Sequence, residues 1–143
     1  MANLIYSILP DPRRPVVYIE PSFTVMDCVN LMVTKDIGAL VVHDRTELLG
    51  LVSERDVVRS CVHLGLDPNQ ATAGDIVYKE VSILDINDTV EDAMEIITFT
   101  KRRHVLINED NKLVAIISIG DILFSLIEDK TRLIEHLESY IHS

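Results

Sequence analysis

Apolar and polar residues fall in blocks along this chain, and the blocks occur twice. A short β-like segment, Val16 to Ile19, leads through turn-forming residues to Val25, Val29, Met32 and Val33, whose helical spacing predicts one apolar helix face. Two apolar runs follow, Ala39-Leu-Val-Val42 and Leu48-Leu-Gly-Leu-Val52, around the polar stretch His43-Asp-Arg-Thr-Glu47. Apolar on both faces, they predict a β-hairpin covered on both sides. Ser53-Glu-Arg-Asp56 then heads a second amphipathic helix. The same order returns in Val81 to Leu84, in Val90, Met94 and Ile97, in Val105-Leu-Ile107 and Leu113-Val-Ala-Ile-Ile117 around Asn108-Glu-Asp-Asn-Lys112, and in Ser118-Ile-Gly-Asp121. Thr24 and Thr89, 65 positions apart, mark the same place, and no gap is needed from Thr24 to Asp56. The predicted unit is strand, helix, strand, strand, helix, used twice; a single duplication at so long an offset argues against a solenoid of short repeats.

Helix starts are written into the repeat. In Thr24-Val-Met-Asp27 and Thr89-Val-Glu-Asp92 the hydroxyl can accept from an orphan backbone N–H while the carboxylate three positions on reaches back, a capping box. Leu64-Gly-Leu-Asp-Pro-Asn-Gln-Ala-Thr72 carries the breaker residues of a connection, which divides the chain into 1–71, with the N-terminal segment and connection, and 72–143. Ile122, Leu126, Ile127, Leu133, Ile134 and Leu137 carry the last helix past its counterpart, a form suited to dimer contacts.

At 143 residues, each half alone would have a thin core, so one cooperative module is expected. The 48% hydrophobic content leaves apolar surface for a partner, and a homodimer is the simplest expectation. A net charge of -10 argues against a general nucleic-acid binder, because that binding rests on neutralised phosphates. No run approaches the ~20 apolar residues of a membrane span, and the N-terminus lacks signal-peptide character, so a cytoplasmic protein without membrane partners is expected. Cys28 and Cys61 lack a CxxC spacing and read as free thiols, with no disulfide or metal site. Histidines 43, 63, 104, 136 and 142 are scattered, with no zinc-type spacing, and no Gly-rich phosphate loop is present; a non-catalytic chain is expected.

The duplicated order of elements, with small-apolar-apolar-Ser-x-x-Asp at the last strand-to-helix junction, resembles the cystathionine β-synthase (CBS) domain pair, or Bateman module, of the small stand-alone type. Ile37-Gly-Ala-Leu-Val-Val42, Leu49-Gly-Leu-Val-Ser-Glu-Arg-Asp56, Arg103-His104 and Ile117-Ser-Ile-Gly-Asp121 carry the resemblance, which covers roughly Val16 to Leu126. The chain departs from the family pattern at Val77, Tyr78 and Ile86, where a Met-Thr pair and a proline are common, and at Leu106. The resemblance implies a mixed α/β fold of two tandem β-α-β-β-α repeats packed as one pseudo-two-fold module. It also implies a homodimer whose cleft between repeats holds an adenosine-containing ligand: AMP, ADP, ATP, NAD or S-adenosylmethionine. Such an adenine nucleotide would be a regulatory ligand rather than a required cofactor, and the signal would pass to an unknown regulated protein.

By that resemblance the ligand-binding residues are Gly38, Ala39, Ser53, Arg55, Asp56, Arg103, His104, Val105, Ser118 and Asp121. The chemistry is coherent. A serine that closes a strand and opens a helix sits beside free N–H groups and the positive end of the helix dipole, which suits phosphate or sugar oxygen, and an aspartate one turn in can accept from vicinal ribose hydroxyls. An Arg55 fork suits phosphate. Ser-x-x-Asp is equally a capping box worth about 1 kcal/mol without any ligand. Lys101 reads as a solvated helix end. Glu54-Arg55 in the first junction becomes Ile119-Gly120 in the second, so the two are not equivalent. A ligand-free dimerising scaffold for another protein remains the alternative.

Overall fold

The computed structural model describes residues 3–142, apart from the side chains of Tyr140 and His142. The chain forms two compact units: one runs from Pro15 to Val81, the other joins the N-terminal residues up to Arg14 with the chain from Ser82 onward. The N-terminal segment thus packs with the second repeat, and the chain from Pro15 through the connection to Val81 with the first.

In the first repeat, β1 (Tyr18–Ile19) pairs in parallel with β2 (Ala39–Asp44), which pairs antiparallel with β3 (Glu47–Ser53). Helix α1 (Val25–Lys35) connects β1 to β2, and α2 (Glu54–Val57) follows β3, continuing as a π-helical segment, Val58–His63. A short helix in the connection, α3 (Ala73–Ile76), has its own capping box between Thr72 and Asp75. The second repeat copies the order: β4 (Ile83–Asp85), α4 (Val90–Thr100), β5 (His104–Glu109), β6 (Lys112–Ser118) and α5 (Ile119–His142). The first strands are shorter than the apolar runs suggest, because β1 and β4 extend only as far as they pair with β2 and β5. Val17 and Ser82 still contribute their carbonyls, to the N–H groups of Val41 and Leu106.

Fine structure repeats with the same offset. Asp27 and Asp92 complete capping boxes on Thr24 and Thr89. Both four-residue start signals therefore do the work expected of them. Asp36 and Lys101 end α1 and α4 in the left-handed conformation (φ 53° and 58°), and both hairpins shift register, at Val42/His43 and Ile107/Asn108.

Each repeat has its own core. Val25, Cys28, Met32, Leu40, Val42 and Val52 fill the first, and their counterparts Val90, Ala93, Ile97, Val105, Ile107 and Ile117 fill the second. Val41 and Leu106, on the opposite strand faces, are fully buried too, as expected of two-sided apolar strands. Val33 lies outside the core and is 76% exposed, since the helix stripe centres on Val25, Cys28 and Met32 and position 33 has rotated off it. Met94 also stands partly in solvent.

The swapped lead-ins complete these cores. Ala71, Ala73 and Ile76 pack into the first, with Thr72 bridging Thr24; Ile5 packs into the second, with Leu4 bridging Thr89. Backbone bonds fix the N-terminal segment: Ile5 N–H to Asp88 O at 2.9 Å, Tyr6 N–H to Ile86 O at 3.0 Å, and Val90 N–H to Asn3 O at 2.8 Å.

Candidate functional site

Hairpin register determines which residues meet at each strand-to-helix junction. Ala39 pairs with Ser53, and Gly38 O accepts from Glu54 N–H at 3.1 Å; in the second repeat His104 pairs with Ser118, and Arg103 O accepts from Ile119 N–H at 3.0 Å. Gly38 and Ala39 thus sit with Ser53, Arg55 and Asp56, while Arg103, His104 and Val105 sit with Ser118 and Asp121. The ten residues singled out in the sequence form two clusters, one per repeat.

Within each cluster the serine and aspartate close a capping box. Asp56 Oδ2 accepts from Ser53 N–H at 2.9 Å and from Ser53 Oγ at 2.8 Å. Asp121 Oδ2 accepts from Ser118 N–H at 2.8 Å and from Ser118 Oγ at 3.1 Å. One carboxylate oxygen, Oδ2, therefore serves the cap in both cases.

The junctions differ in exposure and charge. Ser53 and Asp56 are buried, the two polar residues buried in the chain's described part, and half-buried Arg55 occupies the first helical turn. In the second junction Ser118 and Asp121 are half-buried, Ile119 and Gly120 are exposed, and a guanidinium from the N-terminal segment joins them: Arg14 Nη2 donates to Asp121 Oδ1 at 3.0 Å. That contact had no signal in the sequence, because Arg14 lies 107 positions away in a segment without a motif. Lys101 is the left-handed cap of α4, its N–H bonded to Ile97 O, in keeping with a helix-end role.

A CBS-domain sequence profile matches residues 5–63 and 73–128. The chain belongs to the CBS-domain family. This CBS-domain pair is 28% identical over 123 residues to the mitochondrial CBS domain-containing protein CBSX3 of Arabidopsis thaliana, a match covering 82% of the chain and 60% of that relative. The chain spans only about three-fifths of that relative's length. Among solved structures it superimposes on a CBS-domain protein of Agrobacterium tumefaciens with a TM-score of 0.80 and 31% identity, covering 86% of this chain and 98% of that one. A hexameric CBS-CP12 protein of bloom-forming cyanobacteria gives 0.77 and 30%, with 87% and 68% covered. The mixed fold with two three-stranded sheets is that of these tandem CBS structures. CBS-domain pairs are in general regulatory, ligand-binding modules.

Among the described residues of the CBS pair, no cluster of His, Cys, Asp and Glu could hold a metal ion, and no helix is long and apolar enough to cross a membrane.

Proposed function

We propose that this CBS pair is a non-catalytic regulatory module that binds an adenosine-containing ligand through its Ser-x-x-Asp junctions and passes the change in packing to a partner protein. The observation that carries the reading is the duplicated geometry. In both repeats a carboxylate is oriented by its own serine at the start of a helix, and in the second repeat its other oxygen meets a guanidinium, that of Arg14. A ribose diol needs such an acceptor, and a phosphate needs such a cation. AMP, ADP, ATP, NAD and S-adenosylmethionine all present the diol; the first four also present phosphate.

A ligand switches a module only by its difference in affinity for two arrangements. Apolar positions left exposed at equivalent places, Val58 and Val62 after α2 and Leu123 and Ile127 in α5, support a homodimer as the body that rearranges. The hexameric cyanobacterial relative supports assembly as well.

Equilibrium titration of the purified chain with AMP, ATP, NAD and S-adenosylmethionine tests the reading. Saturable binding of one of them, lost in Asp56→Ala or Asp121→Ala chains that remain folded, is expected. Folded protein that binds none of the four leaves the scaffold reading, supported by the exposed apolar positions, with the junctions acting as helix caps.

A further inference from the structure

The second junction gains a guanidinium from the N-terminal segment. At the first, Arg55 is built into the Ser-Glu-Arg-Asp turn; 65 positions on stands Gly120, which has no side chain, and the guanidinium near Asp121 is that of Arg14. Arg14 reaches that place because residues 3–14 belong to the second repeat. Ile5 is buried in its core, and the backbone bonds of Ile5 and Tyr6 to Asp88 and Ile86 hold the segment down. Next to Arg14, Arg13 is anchored separately, on Glu109 Oε1 at 3.0 Å and over the Tyr6 ring at 5.9 Å from its centroid. Glu109 and Ser118 lie at opposite ends of the β5–β6 hairpin, so the two neighbouring arginines diverge and the segment is pinned at the turn end independently of Asp121.

We propose that Arg14 is a specificity-determining residue of the second junction, selecting phosphorylated nucleosides over free nucleosides. This rests on the ligand reading above. Asp121 has Oδ2 committed to Ser118 and Oδ1 to Arg14, so a ribose diol that takes Oδ1 displaces the guanidinium. The arginine end of the pair is exposed, Arg14 being 67% accessible against 28% for half-buried Asp121, and solvent-facing pairs are weak enough to exchange. Once displaced, Arg14 stays tethered through Arg13 and Ile5, beside the N-terminus of α5. A ligand carrying phosphate offers it a replacement anion; a bare nucleoside takes its carboxylate and returns nothing. Gly120, whose added Cβ would meet only Ser118 Oγ at 3.4 Å, leaves the helix terminus open to that phosphate.

The test is site-resolved. The full-length ¹⁵N-labelled chain is titrated with adenosine and with AMP while the amide signals of Gly120 and Asp121 are followed, in wild type, Arg14→Ala and Arg14→Lys. The preference for AMP over adenosine at this junction is expected to fall about three- to tenfold in Arg14→Ala, adenosine binding as well as or better than before, and to be partly kept by Arg14→Lys. The melting temperature of Arg14→Ala should stay close to wild type, which separates a ligand role from a structural one. Binding of both ligands with an unchanged AMP-to-adenosine ratio overturns the role of Arg14 and leaves the ligand reading standing. If neither ligand moves these amides in any of the three proteins, the reading of this junction falls and the role of Arg14 with it.

Discussion

Gly50 lies so close to Tyr78 that a Cβ built on it would collide with the Tyr78 carbonyl. The approach is forced by a two-way backbone pairing, Leu51 N–H to Tyr78 O at 3.0 Å and Tyr78 N–H to Leu51 O at 2.8 Å, and Gly50 itself has φ +154°. Here the connection is stitched onto β3 of the first repeat.

Gly50→Ala should therefore destabilise the chain by at least about 2 kcal/mol, through collision with backbone that cannot turn aside and strain at positive φ. The equivalent position in the second repeat is Ala115, which already carries a Cβ. Ala115→Gly should cost about 1 kcal/mol or less from added chain freedom. Urea midpoints of the two variants check this; similar small shifts would show that the contact with Tyr78 is loose.

The N-terminal segment should be a structural part of the second repeat. Ile5→Ala removes a fully buried side chain from the core around Val90, Ile107 and Ile117 and should cost about 2–5 kcal/mol. A change below ~0.5 kcal/mol in denaturant unfolding, the usual size at an exposed site, would contradict the swapped packing.

Cys28 should give the chain an alkaline limit. Burial, together with the neighbouring Asp27 carboxylate, pushes its thiol from 9.0 up to about 11, against a backbone hydrogen bond that acts the other way. Below pH 9 both folded and unfolded chains hold the proton. Between 9 and about 11 the unfolded chain releases it and the folded chain does not, so stability falls as pH rises through that window, by up to about 1.4 kcal/mol per unit. The stability difference between wild type and Cys28→Ala should narrow over the same window, and thiol labelling at pH 8 should reach half-buried Cys61 well before Cys28. A constant difference across the window would contradict this.

The repeat, the helix starts and the two-sided strands were legible in the sequence because each is local: a threonine with an aspartate three positions on, or an apolar run of strand length. Thr72-Ala-Gly-Asp75 carried the same signal and starts α3, yet within a stretch of breaker residues it reads as connection. The exchange of lead-ins was not legible, since it depends on Ile5 and Ile76 finding cores formed by other parts of the chain. Val33 shows the limit of spacing as evidence, being helical in period and one step off the buried stripe. At the junctions, the identities of Ser53, Asp56, Ser118 and Asp121 were plain. Register alone brought Gly38 and Arg103 to them, and Arg14 came by a long-range ion pair that no spacing encodes.

The serine-aspartate contacts should contribute stability of their own. Asp56→Ala leaves the Ser53 N–H and hydroxyl without their acceptor in a buried place and should cost about 1–3 kcal/mol; Asp121→Ala, in a more open junction, should cost about 0.5–2 kcal/mol. Thermal unfolding of the two variants measures the difference, and equal losses would mean that burial of the first junction carries no weight.

An adenosyl ligand held at the junctions should raise the melting temperature of the purified chain, recorded with and without AMP, ATP, NAD and S-adenosylmethionine at millimolar concentration. A ligand present at 100 times its dissociation constant stabilises the folded state by about 2.7 kcal/mol, a shift of several degrees in a chain of this size. The expected result is such a shift with at least one of the four, abolished in Asp56→Ala or Asp121→Ala. An unchanged melting temperature with all four would contradict the account and leave both Ser-x-x-Asp motifs as helix caps.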